Sequence, residues 1–175
     1  MPTNIELKAR IRNAPEQRRY VEALAGASSE VFDQVDTFFH VPHGRLKLRE
    51  SKPGGAELIF YQRANQAAVK KSVYSRIPID HPEELGHALA EALGIAGVVR
   101  KTRRLYLVGQ TRIHWDEVEG LGEFLELEVV LHPGQADEDG SRIAGELREQ
   151  LGIYDEDLIA GAYVDLLCGK KNEGR

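Results

Sequence analysis

The chain has 175 residues, the usual length of one domain, with 29 % charged and 42 % hydrophobic residues in an ordinary folded mixture. Its 28 acids and 23 lysines and arginines leave a net charge of −5, which argues against a general nucleic-acid binder and supplies no polybasic membrane patch. A lone cysteine, Cys168, rules out an internal disulfide or a multi-cysteine zinc site, and no apolar run approaches the roughly 20 residues of a membrane span.

With no apolar signal segment at the start of the chain, the expectation is a single soluble, cytoplasmic domain over residues 1–175. The first segment, Asn4 to Arg12, alternates polar and apolar residues and reads as a strand with two unlike faces. Asn13, Pro15 and Glu16 then open a helix that Gly26 stops. Val31–Val41 reads as a second strand. Arg45–Ser51 and Ala56–Arg63 follow, joined across the turn Lys52-Pro53-Gly54-Gly55. Val69–Ile79 is a fifth strand, and Pro82–Leu93 a helix with Leu85, Leu89 and Leu93 on one side. Val98–Val108 and Gln110–Glu119 flank Gly109 as a hairpin, and Phe124–Leu131 is the next strand. Ser141–Leu151 reads as a third helix, approached by the solvated run Asp137-Glu138-Asp139. Tyr163–Leu167 is expected to return to the sheet. Eight or so strands joined mostly by hairpins imply α+β with one large antiparallel sheet or barrel.

The charges are sorted by strand. Six acids and no base lie between Asp116 and Glu128, whereas four of the five residues Arg100–Arg104 are basic. In Phe124-Leu-Glu126-Leu-Glu128-Val the two glutamates share one strand face, close enough to hold one hard cation such as Mg²⁺ or Mn²⁺. The same spacing also describes an ordinary solvated strand. Glu6 and Lys8 share a face with Asn4, and Arg112, His114 and Asp116 form another alternating triplet. Against these acids stand Arg45, Lys47 and Arg49, then Lys70, Ser72 and Tyr74, then Lys101 and Arg103. Carboxylates that hold a metal beside bases that hold phosphate oxygens would make a polyphosphate site. In a closed barrel the charged face lines the lumen, and its charges then need pairing.

In motif order the chain resembles the CYTH superfamily, the triphosphate tunnel metalloenzymes, which includes class IV adenylate cyclases and thiamine triphosphatases. The most specific likeness is Arg112-x-His114-x-Asp116-x-Val118 followed by Leu121-Gly122-x-Phe124-x-Glu126-x-Glu128. The resemblance implies a closed eight-stranded antiparallel β-barrel with helices packed outside. It implies Mg²⁺ or Mn²⁺ on Glu6, Asp116, Glu126 and Glu128. Lys47, Arg49, Lys70, Lys101, Arg103 and Arg112 would hold the triphosphate, with Lys8 and Arg103 at the chemistry. The implied substrate is a small-molecule triphosphate: ATP, thiamine triphosphate or tripolyphosphate, hydrolysed or, for ATP, cyclised. A homodimer is compatible with this reading but not required by it.

The family's first motif is Glu-x-Glu-x-Lys, and here Asn4 replaces the first glutamate. Loss of that carboxylate weakens a cation site, and it motivates the alternative of a polyphosphate- or nucleotide-binding module without catalysis. A domain whose charged strands are merely solvated is a further alternative. His40 and His43 read as surface loop residues, Trp115 as outer core and Cys168 as core. His114 is compatible with a proton role, a structural role or a phosphate contact.

Overall fold

The computed structural model describes residues 2–26 and 30–173. Eight strands form its framework: β1 (Thr3–Arg10), β2 (Glu30–Phe39), β3 (Arg45–Lys52), β4 (Gly55–Arg63), β5 (Lys70–Ile79), β6 (Ile95–Val108), β7 (Thr111–Val118) and β8 (Gly122–Val130). They close in the order β1-β5-β4-β3-β2-β6-β7-β8, and every neighbour is antiparallel. The helices are α1 (Ala14–Ala25), α2 (Pro82–Leu93), α3 (Asp137–Gln150) and α4 (Tyr163–Glu173). No helix among the described residues is long and apolar enough to cross a membrane.

Alternation decides which way each strand faces. On β1 the odd positions Ile5, Leu7 and Ala9 turn outward, where they meet Ile113, Trp115, Leu125, Leu127 and Val129 from β7 and β8. Ala144, Leu147 and Leu151 at the α3 end and Val21 of α1 cover this layer. Burying such apolar faces supplies the main drive to close the structure. The even positions Asn4, Glu6 and Lys8 are then forced into the lumen, where each is buried. Thus the helices stabilise the polar tunnel from outside.

Two local readings change. Tyr163–Leu167 is helical: it opens α4. Since β1 already pairs with β8 and closes the barrel, no free edge awaits another strand. Tyr163, Val164, Leu166 and Leu167 also fit helical i, i+1, i+3, i+4 spacing, so a short apolar run is ambiguous between the two periods. Cys168 is exposed rather than core, on the part of α4 beyond the buried turn formed by Tyr163 and Val164. In addition, Asp137, Glu138 and Asp139 belong to the first turn of α3, where negative side chains favour the positive end of the helix dipole.

Candidate functional site

The lumen is a cavity of about 620 Å³, a volume suited to a small organic or phosphate ligand. Eight lysine and arginine side chains and six carboxylates line it, so its wall carries a cationic surplus inside a protein of net charge −5. Three groups of side chains divide that wall.

The basic group centres on Asp36 of β2. Its carboxylate accepts from Lys47 Nζ at 2.8 Å, Lys101 Nζ at 3.0 Å, and Arg49 through Nε and Nη2, each at 2.7 Å. Register explains the convergence, because Asp36 faces Arg49 across β2–β3 and the adjacent Gln34 faces Lys101 across β2–β6. Burial pushes the Asp36 carboxyl up, but Arg49, Lys101 and Lys47 outweigh it and hold it well below the usual carboxylate range. One acid cannot serve three cations fully. Burial, with Arg49 adding to it, drives the Lys47 ammonium well down, and burial lowers Lys101 to about 8.

The second group is Arg103 with its anchors. Its guanidinium donates to both Asp116 oxygens at 2.6 Å, and Nη2 also donates to Glu126 Oε2 at 2.8 Å. Tyr163 of α4 donates its hydroxyl to Asp116 Oδ2 at 2.8 Å. Fully buried and so occupied, Asp116 does not line the cavity; it fixes Arg103, which does. Lys8 lies 3.7 Å from Glu126 Oε1 and 3.7 Å above the Tyr163 ring.

The third group joins β1, β7 and β8. Glu6 lies opposite Glu128, while Lys8 and His114 both lie opposite Glu126. Burial and the neighbouring Glu126 raise the Glu6 carboxyl despite its ion pair with Arg63. Burial also opposes ionisation of Glu126 and Glu128, yet Lys8, His114 and Arg103 outweigh it for Glu126. A protonated His114, then Arg112 and Arg103, do the same for Glu128, although burial lowers the His114 imidazole itself and so favours its neutral form. Both therefore stay in the ionised form that a cation requires. Arg112 donates from Nε to Glu128 Oε2 at 3.0 Å, and it reaches Asn4 when the Asn4 amide is turned so that its oxygen faces Nη2 at 3.2 Å. Asn4 therefore positions a base where the resemblance has an acid. His114, Glu126 and Glu128 bring one donor atom each within 4.8 Å of one another, a carboxylate and imidazole set suited to a divalent cation.

Of the residues singled out in the sequence, Lys47, Arg49, Lys101, Arg103, Arg112, Glu6, Lys8, Glu126 and Glu128 share this cavity. Lys70 does not line it. It pairs opposite Glu6 across β1–β5, and its ammonium donates to the Gln66 carbonyl at 3.2 Å. Sequence reasoning missed Asp36 and Arg63, though both obey the alternation of their strands: Asp36 follows Gln34, and Arg63 follows Glu57, Ile59 and Tyr61. It also missed Tyr163, which no strand periodicity could place in the site. Four buried side-chain atoms among the described residues lack a partner: Gln34 Oε1, Arg63 Nε, Thr111 Oγ1 and His114 Nδ1. Three of the four belong to lumen residues, where a ligand would satisfy them.

The same fold occurs in known structures. The PH1012 protein of Pyrococcus horikoshii superposes with a TM-score of 0.83 at 24 % identity, over 93 % of this chain and 98 % of that one. A protein from Vibrio parahaemolyticus named as a candidate adenylate cyclase gives 0.73 at 20 % identity, over 94 % and 97 %. A candidate adenylyl cyclase from Hippeastrum, described as having a dominant triphosphatase activity, gives 0.59 at 16 % identity, over 93 % and 91 %. No curated protein matches in sequence. The CYTH domain family matches residues 2–163, and with the closed tunnel this establishes that the chain belongs to the CYTH family.

Proposed function

We infer that the protein is a divalent-cation-dependent triphosphate hydrolase that works inside the tunnel. The observation that carries this reading is the sharing of Asp36 by Lys47, Arg49 and Lys101. One buried and two partly buried cations on one carboxylate are short of negative charge, and a chain of phosphates would supply it along the same wall. Arg103, held in plane by Asp116, offers a preorganised guanidinium for charge that develops on a transferred phosphoryl group. Arg112 extends the basic wall toward Glu128.

Glu126 and Glu128, with Glu6 beside them, fit Mg²⁺ or Mn²⁺, and when bound the cation supplies a Lewis acid to the phosphate oxygens. Lys8 holds Glu126 ionised and in place. Burial of this wall keeps bulk water from screening its charges, which strengthens each contact with phosphate. Hydrolysis needs only these groups and a water molecule. Cyclisation of ATP also needs a seat for the nucleoside, and the apolar residues on the cavity wall include Phe32, Leu105, Pro78 and Ile79.

The test is a panel of ATP, thiamine triphosphate and tripolyphosphate with Mg²⁺ or Mn²⁺, with cyclic AMP, pyrophosphate and phosphate measured separately. Phosphate release is expected, and Glu128→Gln should lower it by on the order of a hundredfold or more without loss of fold. Cyclic AMP with pyrophosphate would replace hydrolysis by cyclisation. Tight tripolyphosphate binding without any product would leave a binding module instead.

A further inference from the structure

His114 is a buried imidazole, 5 % exposed, whose Nδ1 has no hydrogen-bond partner. It lies in the lumen opposite Glu126, and its Nδ1 is 3.8 Å from Glu126 Oε2 and 3.9 Å from Glu128 Oε1. Those distances are too long for hydrogen bonds. Bonds of roughly 2.0–2.2 Å to one small cation place its ligand atoms about 3–4 Å apart; Nδ1 has that spacing to both carboxylate oxygens, and the three donors all lie within 4.8 Å of one another. The second oxygen of each carboxylate faces a base, Lys8 for Glu126 and Arg112 for Glu128. Glu128 Oε2 accepts from Arg112, which leaves Oε1 toward His114. Glu126 Oε2 accepts from Arg103 Nη2, but a carboxylate oxygen has a second lone pair. An imidazolium serving only as counter-charge would close on one carboxylate, which this ring does not do.

We propose that His114 binds the tunnel cation directly through Nδ1, with Glu126 and Glu128, and that this mixed nitrogen and oxygen set selects Mn²⁺ over Mg²⁺. The proposal rests on the reading above that the tunnel holds a divalent cation. Mg²⁺ favours oxygen donors and retains its waters, whereas Mn²⁺ accepts carboxylate and gains more from an imidazole nitrogen. Asn4 fits the same division of labour. Its amide is committed to Arg112, so β7 supplies the third ligand that β1 does not.

The test is pulsed electron paramagnetic resonance of Mn²⁺ bound to the full-length, untagged protein, alone and with inorganic tripolyphosphate. The other five histidines are exposed, so an imidazole coupling from a buried Mn²⁺ reports His114. The expected result is a directly bound ¹⁴N signal that converts to ¹⁵N on selective histidine labelling. Calorimetric titration of His114→Asn should show Mn²⁺ affinity reduced by about tenfold or more, with Mg²⁺ affinity changed less. The labelled wild type gives an answer even where the variant folds poorly. Bound Mn²⁺ without nitrogen coupling, or an unchanged Mn²⁺ to Mg²⁺ preference in His114→Asn, would overturn the His114 assignment while leaving the cation reading intact. No bound Mn²⁺ or Mg²⁺ in the wild type, with or without tripolyphosphate, would overturn both.

Discussion

Lys47, Arg49 and Lys101 share a single carboxylate, so replacing the buried Asp36 by Asn leaves three cations, one buried and two partly buried, without that counter-ion. Removing one member of a buried ion pair costs about 3–5 kcal/mol. Urea denaturation of Asp36→Asn should show a loss of that order, partly recovered by tripolyphosphate; unchanged stability would remove Asp36 from this role. A second consequence concerns pH. Burial lowers both Lys101 and Lys70 to about 8 from the 10.5 of a free lysine. Above about pH 8 the free tunnel loses these charges, and a bound polyanion must restore those it contacts by proton uptake. Tripolyphosphate affinity should therefore fall as pH rises, by on the order of tenfold per unit for each lysine recharged. Lys101 lines the wall and Lys70 does not, so Lys101→Met should flatten the profile and Lys70→Met should not. For the free protein the sign reverses. Between pH 8 and 10.5 the unfolded chain holds more protons at these lysines, so their contribution to stability rises across that window. Most of the lumen residues were legible in sequence because alternation assigns a face. Asp36 was not, because it is one of three acids on a strand of mixed composition and carries no distinct signal until strand pairing surrounds it with bases.

At the scale of elements, α3 is pressed against β1 by the absence of a side chain at Gly140. A Cβ there would lie 2.6 Å from Ile5 Cγ1 and 2.7 Å from Leu131 Cδ2. Gly140→Ala should cost about 1–3 kcal/mol by overpacking, despite the better helix propensity of alanine. Gly145 has nothing within 4 Å, so Gly145→Ala should stabilise the same helix by about 0.5–1 kcal/mol. Urea denaturation of both variants checks the pair, and equal effects would contradict the packing account. Most of the strands and three of the helices were readable from period and turn chemistry. The α4 segment was not: five apolar-rich residues satisfy two periods, and only closure of the barrel by β1 and β8 decides between them.

The net charge of −5 describes the outside of the molecule better than the inside. Charge sorted along the sequence does not become an acidic wall facing a basic one. Closure interleaves the signs, with Asp36 among bases and Arg103 between Asp116 and Glu126. Lumen bases still outnumber lumen acids, so a polyanion should enter a cavity whose field opposes that of the whole protein. Titration calorimetry with tripolyphosphate at pH 7, for wild type and Arg49→Ala, tests this most directly. One binding site is expected, accompanied by a rise in Tm, weakened by salt and by at least about tenfold in Arg49→Ala. No binding heat and no rise in Tm at low salt, or equal binding by Arg49→Ala, would contradict a triphosphate site in the tunnel.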